Sequence, residues 1–270
     1  YERKKMLKFV SEIGVNHLGS EETALRYCKI LSKTQTDAIS LQIRERDFYD
    51  GSLPWKNELS EQCYSQCLEV VRGSGKSFGF AVGDLDTAKQ YHSLRPDFWK
   101  VLSWGLKDIP LIKFLVESDK PVFVSTGMSG IDEIVSVAKK FGTKVSFIHT
   151  QLSVDNEDVN LSAIASMREA TGCHVSFGLH CDNFAVMGLS LAFKPEALFF
   201  YVKEKVDFDY PDNSYAILLS ELDLMIGQTN ALAKSLGNGI KTSFTPKTLS
   251  AEEQNKLANM QSDLEKVKME

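Results

Sequence analysis

The stretch SEIGVNHLGS, residues 11–20, sets a carboxylate, a carboxamide and an imidazole (Glu12, Asn16 and His17) at the end of the apolar run LKFV. Acid, amide and imidazole together are the groups from which proton transfer, oxyanion stabilisation or metal ligation is built. The habit recurs along the chain. Gln42 ends AISLQI, with Arg44 and Arg46 following; Lys100 interrupts FWKVLS and precedes Ser103 and Trp104. Ser125 and Thr126 end PVFVST, His149 ends VSFIHT and His180 ends HVSFGLH. Three of the five histidines therefore follow apolar runs. A lysine or glutamate inside such a run is costly unless it is paired or used, which singles out Lys100 and Glu12. The Ser125-Thr126-Gly127 turn can offer N–H groups and hydroxyls to a phosphate or carboxylate. Each histidine taken alone also reads as a hydrogen-bonded structural residue, and Arg44 with Arg46 as a solvated loop.

These residues need a frame. Apolar runs fall at 7–15, 38–43, 77–82, 98–103, 121–126, 145–150, 174–180 and 197–202, and they alternate with stretches of helical spacing. Helices are expected over 21–33 (capped by Ser20), 57–75, from Asp84, from Asp108-Pro110, and over 130–142, 160–172, 184–193 and about 214–236. Strands that are apolar throughout belong to a parallel sheet covered on both faces. Eight β/α units imply an α/β TIM (β/α)8 barrel, a single domain over 1–244, whose site lies at the C-terminal ends of the strands. A doubly wound open sheet is the runner-up, but no GxGxxG or GxxxxGK[ST] follows the first strand. Residues 245–270 form a polar tail, helical with Leu257, Met260, Leu264 and Val267 in one stripe, or disordered.

With 270 residues, a net charge of −5 and 43% hydrophobic residues, the chain can bury a large core. Its mild acidity argues against a nucleic-acid partner. Five cysteines without a CxxC pair fit reduced, packed thiols. No apolar run reaches the length of a membrane span, no signal peptide is evident, and a cytoplasmic protein is expected. Residue 1 is Tyr, and Met6 reads as a natural start.

The ordered motifs carry a resemblance. SEIGVNHLG resembles the A-E-I-G-x-N-H-x-G opening of the sialic acid synthase family. AISLQ, WKVLS, KPVFVSTGMSGIDEI, FIHT with EDVNLSAIASMRE, GLHCD and SLGNGIK resemble its later motifs in order, over about 7–242. The resemblance implies an enzyme that condenses phosphoenolpyruvate with an (N-acetyl)aldose to a 2-keto acid sugar for surface carbohydrate. It implies a divalent metal, Mn2+ or Mg2+, that is held by two histidines and polarises the aldehyde. Glu12 would be the acid near the reacting centre and His180 the first metal ligand. Lys100, Ser103 and Ser125 would hold phosphoenolpyruvate, with Gln42 in the same pocket; Asn16, His17, Thr126 and His149 complete the substrate-binding candidates. A homodimer is compatible with the family.

The chain also departs from that pattern. Ser40 replaces a phosphate-binding lysine, Gly105 a sugar-gripping glutamate, and Leu152 a polar residue. Gly178 and Leu179 replace the serine and aspartate before the metal histidine, and Tyr201 stands at the second metal histidine. The family's C-terminal antifreeze-like domain has no counterpart in 245–270. Two other readings therefore stand beside the synthase: a repurposed barrel that binds a ligand or partner without metal or cofactor, and a Schiff-base lyase using Lys203 or Lys100.

Overall fold

The computed structural model describes residues 8–50, 53, 56–241 and 249–267. Eight parallel strands close into a barrel: β1 (Lys8–Gly14), β2 (Ala38–Gln42), β3 (Ser77–Val82), β4 (Phe98–Val101), β5 (Val122–Ser125), β6 (Val145–His149), β7 (Val175–Gly178) and β8 (Ala197–Lys203), with β1 pairing β8. The connecting helices are α1 (Glu21–Leu31), α2 (Glu61–Gly73), α3 (Leu85–Tyr91), α4 (Ile109–Val116), α5 (Ile131–Phe141), α6 (Ala163–Thr171) and α7 (Ala185–Ser190). Side-chain oxygens of Ser20, Ser60, Asp84 and Asp108 accept from backbone N–H groups in the first turns of α1 to α4. Asp84, a polar residue at the end of β3, thus serves as a cap and not as a barrel-mouth ligand.

The eighth unit differs from the sequence expectation. Residues 214–216 are not helical; a two-residue strand β9 (Ile217–Leu218) pairs with Val202 and Lys203, and α8 (Leu222–Ser235) begins only after it. Lys203 accounts for the detour: its Nζ donates to Asn213 O at 2.8 Å and Asn213 Oδ1 at 2.7 Å, tying the loop to the strand end. A helix α9 spans Ala251–Val267, where Met260, Leu264 and Val267 are exposed. The chain divides into two compact units, Tyr1–Ser235 and Leu236–Glu270.

Two apolar layers build the barrel. The larger lies between strands and helices, and includes Trp99, Phe147, Phe177 and Phe200. The smaller fills the barrel's interior with Val10, Ala38, Phe98, Ile148, Ala197 and Phe199, and Phe123 packs on it. Side chains alternate along a strand, so the next inward positions up are Glu12, Ser40, Lys100, Ser125, Thr150 and Tyr201. The pairing register sets Glu12 beside Ser40 on one flank and Tyr201 on the other. An apolar floor thus carries a polar layer. All five cysteines are buried and free.

Candidate active site

The polar layer is organised by one ion pair. Lys100 Nζ lies 2.6 Å and 2.8 Å from the two oxygens of Glu12, and both side chains are 3% exposed. Ser40 donates weakly to Glu12 at 3.4 Å. The ammonium also lies 5.7 Å from the ring centroids of Phe199 and Tyr201. Neither charge would survive this burial alone, so the two in-strand charges of the sequence explain each other.

Above this pair opens a cavity of about 260 Å³, lined among others by Gln42, Lys100, Ser103, Ser125 and His180. Ser103 and Ser125 share a hydrogen bond of 3.0 Å between their hydroxyls. His180 Nδ1 lies 2.6 Å from the Thr150 hydroxyl, and its ring packs on Tyr215 and Tyr201, at 4.8 Å and 5.5 Å between centroids. Burial, reinforced by the Lys100 charge, pushes the His180 pKa down to about 3, so the ring is a neutral imidazole.

Four other candidates are committed elsewhere. Asn16 donates to Val202 O at 2.9 Å and accepts from the Asp212 N–H at 3.2 Å, which pins the loop after β8. His17 Nδ1 accepts from the Gly19 N–H at 3.1 Å, and burial lowers its pKa to about 4. Thr126 donates to Ile148 O at 2.9 Å. His149 Nε2 meets Val159 O at 2.8 Å, and burial lowers its pKa too. None of the four lines the cavity; each holds a strand end or loop around it.

The cavity also contains groups that sequence patterns did not single out. Phe48, Asp212 and Tyr215 line it, and so does Arg44, half-buried in its wall. Arg46 alone keeps the solvated position expected of both arginines. Asp212 Oδ1 accepts from the Tyr215 hydroxyl at 2.8 Å, while Oδ2 is buried without a hydrogen-bond partner among the described residues. Burial raises the Asp212 pKa to about 6, opposed by the Tyr215 hydrogen bond and assisted by the Glu12 charge. The sequence signal for this residue is the Pro211-Asp212 pair, a turn dipeptide in the loop after β8.

The sequence profile described as the NeuB family matches residues 26–241. The chain belongs to the NeuB family. It is 24% identical over 266 residues to the pseudaminic acid synthase of Campylobacter jejuni subsp. jejuni serotype O:23/36, covering 87% of this chain and 76% of that protein. To the N,N'-diacetyllegionaminic acid synthase of C. jejuni serotype O:2 it is 22% identical over 251 residues, covering 88% and 73%. The N-acetylneuraminic acid (sialic acid) synthetase structure from Leptospira borgpetersenii superposes with a TM-score of 0.80 at 19% identity, over 95% of this chain and 92% of that one. This last likeness establishes the fold.

The donor set does not fit the two-histidine metal centre that the resemblance implies. Among the described residues, no group of three or more His, Cys, Asp or Glu is placed to hold a metal ion. His180 engages one ring nitrogen with Thr150, and Glu12 is bound to Lys100 through both oxygens. Tyr201 at the second histidine position is a neutral phenol: burial, then the Glu12 charge, raises its pKa well above the ordinary value. A protonated phenol is a hydrogen-bond donor and a poor ligand for a hard divalent ion. Gly105, in place of the sugar-gripping glutamate, is closed as well. A Cβ there would lie 2.8 Å from Val101 Cγ1 and 2.9 Å from Gly83 O.

Proposed function

We propose that this NeuB-family barrel is a sugar-acid synthase that condenses phosphoenolpyruvate with an (N-acetyl)aldose in surface-carbohydrate biosynthesis, in the cytoplasm. The observation that carries the reading is convergence: Gln42, Lys100, Ser103, Ser125 and His180, from β2, β4, β5 and the end of β7, line one cavity over the Glu12–Lys100 pair. In the reaction, C3 of phosphoenolpyruvate bonds to the aldehyde carbon, the aldehyde oxygen takes a proton, water adds at C2 and phosphate leaves. The chain's own contributions are binding and orientation. The Ser103 and Ser125 hydroxyls and the Gln42 carboxamide are donors for the carboxylate and phosphate of the three-carbon substrate. Lys100, held by Glu12, is a fixed positive end for charge that develops on oxygen. Tyr201 and Tyr215 add apolar walls that exclude water. No step is assigned to a metal, because the donors present do not form its site.

A second reading has its own observation. Ser40 brings no charge and Glu12 neutralises Lys100, so anion binding at the floor of the cavity is weaker than in a site with both lysines free. That favours a barrel retained for ligand or partner binding without turnover. The Schiff-base reading loses ground: Lys203 Nζ is bound to Asn213, and Lys100 is locked to a carboxylate, so neither is presented as a free amine. Isothermal titration with phosphoenolpyruvate, in chelator and again with Mn2+, tests the synthase reading. Binding in both conditions, followed by 2-keto acid formation with an aldose, is expected; absence of heat in both would remove it.

A further inference from the structure

The floor of the cavity holds an uncharged Ser40 where the resemblance implies a lysine, and Lys100 beside it is neutralised by Glu12. Its wall carries a second cation, Arg44. Ser40, Gln42 and Arg44 alternate along one strand, so they share the inward face of β2 and its extension. The Arg44 guanidinium stands in the cavity wall with 23% of its side chain exposed. Its carbon lies 4.0 Å from the Phe48 ring centroid and 4.7 Å from that of Trp104. Aromatic faces on a planar cation fix its orientation.

The polar contacts of this arginine are on one side only. Its Nε donates to Glu45 Oε2 at 3.0 Å, and the indole Nε1 of Trp104 donates to Glu45 Oε1. Gly83, facing both groups, leaves the room that a Cβ would fill. Glu45 is thus a counter-ion seated on the Nε edge. Among the described residues, no side chain accepts from the two terminal nitrogens, the edge best shaped for two parallel hydrogen bonds to a carboxylate or phosphate.

We propose that Arg44 is the anion anchor of this cavity: the carboxylate or phosphate of a small anionic substrate docks on its terminal nitrogens, in place of the cation absent at Ser40. The assignment rests on the synthase reading for the identity of the anion, though not for the existence of the anchor. Glu45 then sets the affinity, because its charge holds the arginine in place and repels the incoming anion. Anchoring higher in the cavity also moves the anion away from Glu12, where two negative groups would otherwise compete for Lys100.

The experiment is calorimetric titration of the wild type and the Arg44→Met, Arg44→Lys and Glu45→Gln variants with phosphoenolpyruvate and, separately, inorganic phosphate. Circular dichroism checks that each variant is folded. Arg44→Met should weaken phosphoenolpyruvate binding at least tenfold, Arg44→Lys should recover part of the loss, and Glu45→Gln should bind several-fold more tightly than wild type. A wild type that binds phosphoenolpyruvate with Arg44→Met unchanged overturns the anchor and leaves the synthase reading standing. Binding of phosphate but not phosphoenolpyruvate, lost in Arg44→Met, supports the anchor and removes the synthase reading. A wild type that binds neither anion removes both. Because Glu45→Gln is expected to gain affinity, its result stands even if Arg44→Met fails to fold; weaker binding in it would count against the anchor.

Discussion

At the residue scale, one ion pair and then one tyrosine position decide what kind of site this is. Lys100 and Glu12 are each 3% exposed and pair through both carboxylate oxygens. Removing one partner leaves an uncompensated buried charge, which costs about 3–5 kcal/mol. Lys100→Met should therefore lower unfolding free energy by that amount in urea denaturation, while Lys100→Met with Glu12→Gln should recover much of it. If the single variant is as stable as wild type, the pair is not closed in solution. The tyrosine is Tyr201. A histidine there would put an imidazole facing His180 across β7 and β8, whose rings now lie 5.5 Å apart. Wild type is expected to take up no Mn2+ at micromolar metal, and Tyr201→His to gain a site, read as loss of the free-ion electron paramagnetic resonance signal. A wild-type site abolished by His180→Ala would show the donor argument to be mistaken. Both positions were legible in the sequence as a charge in an apolar run and a tyrosine at a histidine's place. Their pairing was not, because Glu12 and Lys100 are far apart in the chain and only barrel closure sets them side by side.

At the scale of the elements, the strands were readable and their ends were not. Seven of the eight barrel strands lie inside an apolar run and β8 passes the end of its run by one residue, since double-sided burial makes the signal continuous. The eighth unit broke the pattern because Lys203 captures Asn213 and inserts β9 before the helix, a side-chain event with no periodicity. The mouth residues divide by the same logic. Gln42, Ser103, Ser125 and His180 line the cavity, whereas Asn16, His17, Thr126 and His149 hold backbone groups at strand ends, and residue type alone does not separate the two. The turn after β4 shows how an element forbids a function. Gly105 packs against the Gly83 carbonyl, so restoring the family's glutamate by Gly105→Glu forces backbone apart. Overpacking of this kind costs about 1–3 kcal/mol. The variant should melt lower than wild type and bind aldoses no better by titration; a gain in aldose affinity at unchanged stability would mean that the turn can open.

At the scale of the whole molecule, the barrel stacks an apolar floor, a buried ion pair and a polar mouth whose buried titratable groups, in the cavity and at the strand ends around it, are displaced in opposite directions. His17 and His180 have native pKa values near 4 and 3, and that of His149 is lowered as well. Unfolded, these imidazoles would take up protons near pH 6.5, so the stability conferred by keeping them neutral is present above that pH and is lost as pH falls toward their native values. Asp212 works the other way. Its native pKa near 6 lies above the unfolded value, so its contribution is present at low pH and is lost as pH rises through 6. Between pH 6 and 4 the two strongly shifted histidines outweigh the one aspartate. The unfolded chain then binds about one proton more than the native barrel, and stability should fall by roughly 1.4 kcal/mol per pH unit of acidification. Urea unfolding at pH 7, 6, 5 and 4.5 measures the slope. His17→Gln, which removes one of the opposed groups, should flatten it even if it lowers the plateau at pH 7. A stability that is level or rising from pH 6 to 4.5 would mean that water reaches these histidines, and with it that the cavity above the Glu12–Lys100 pair is wetter than its packing implies.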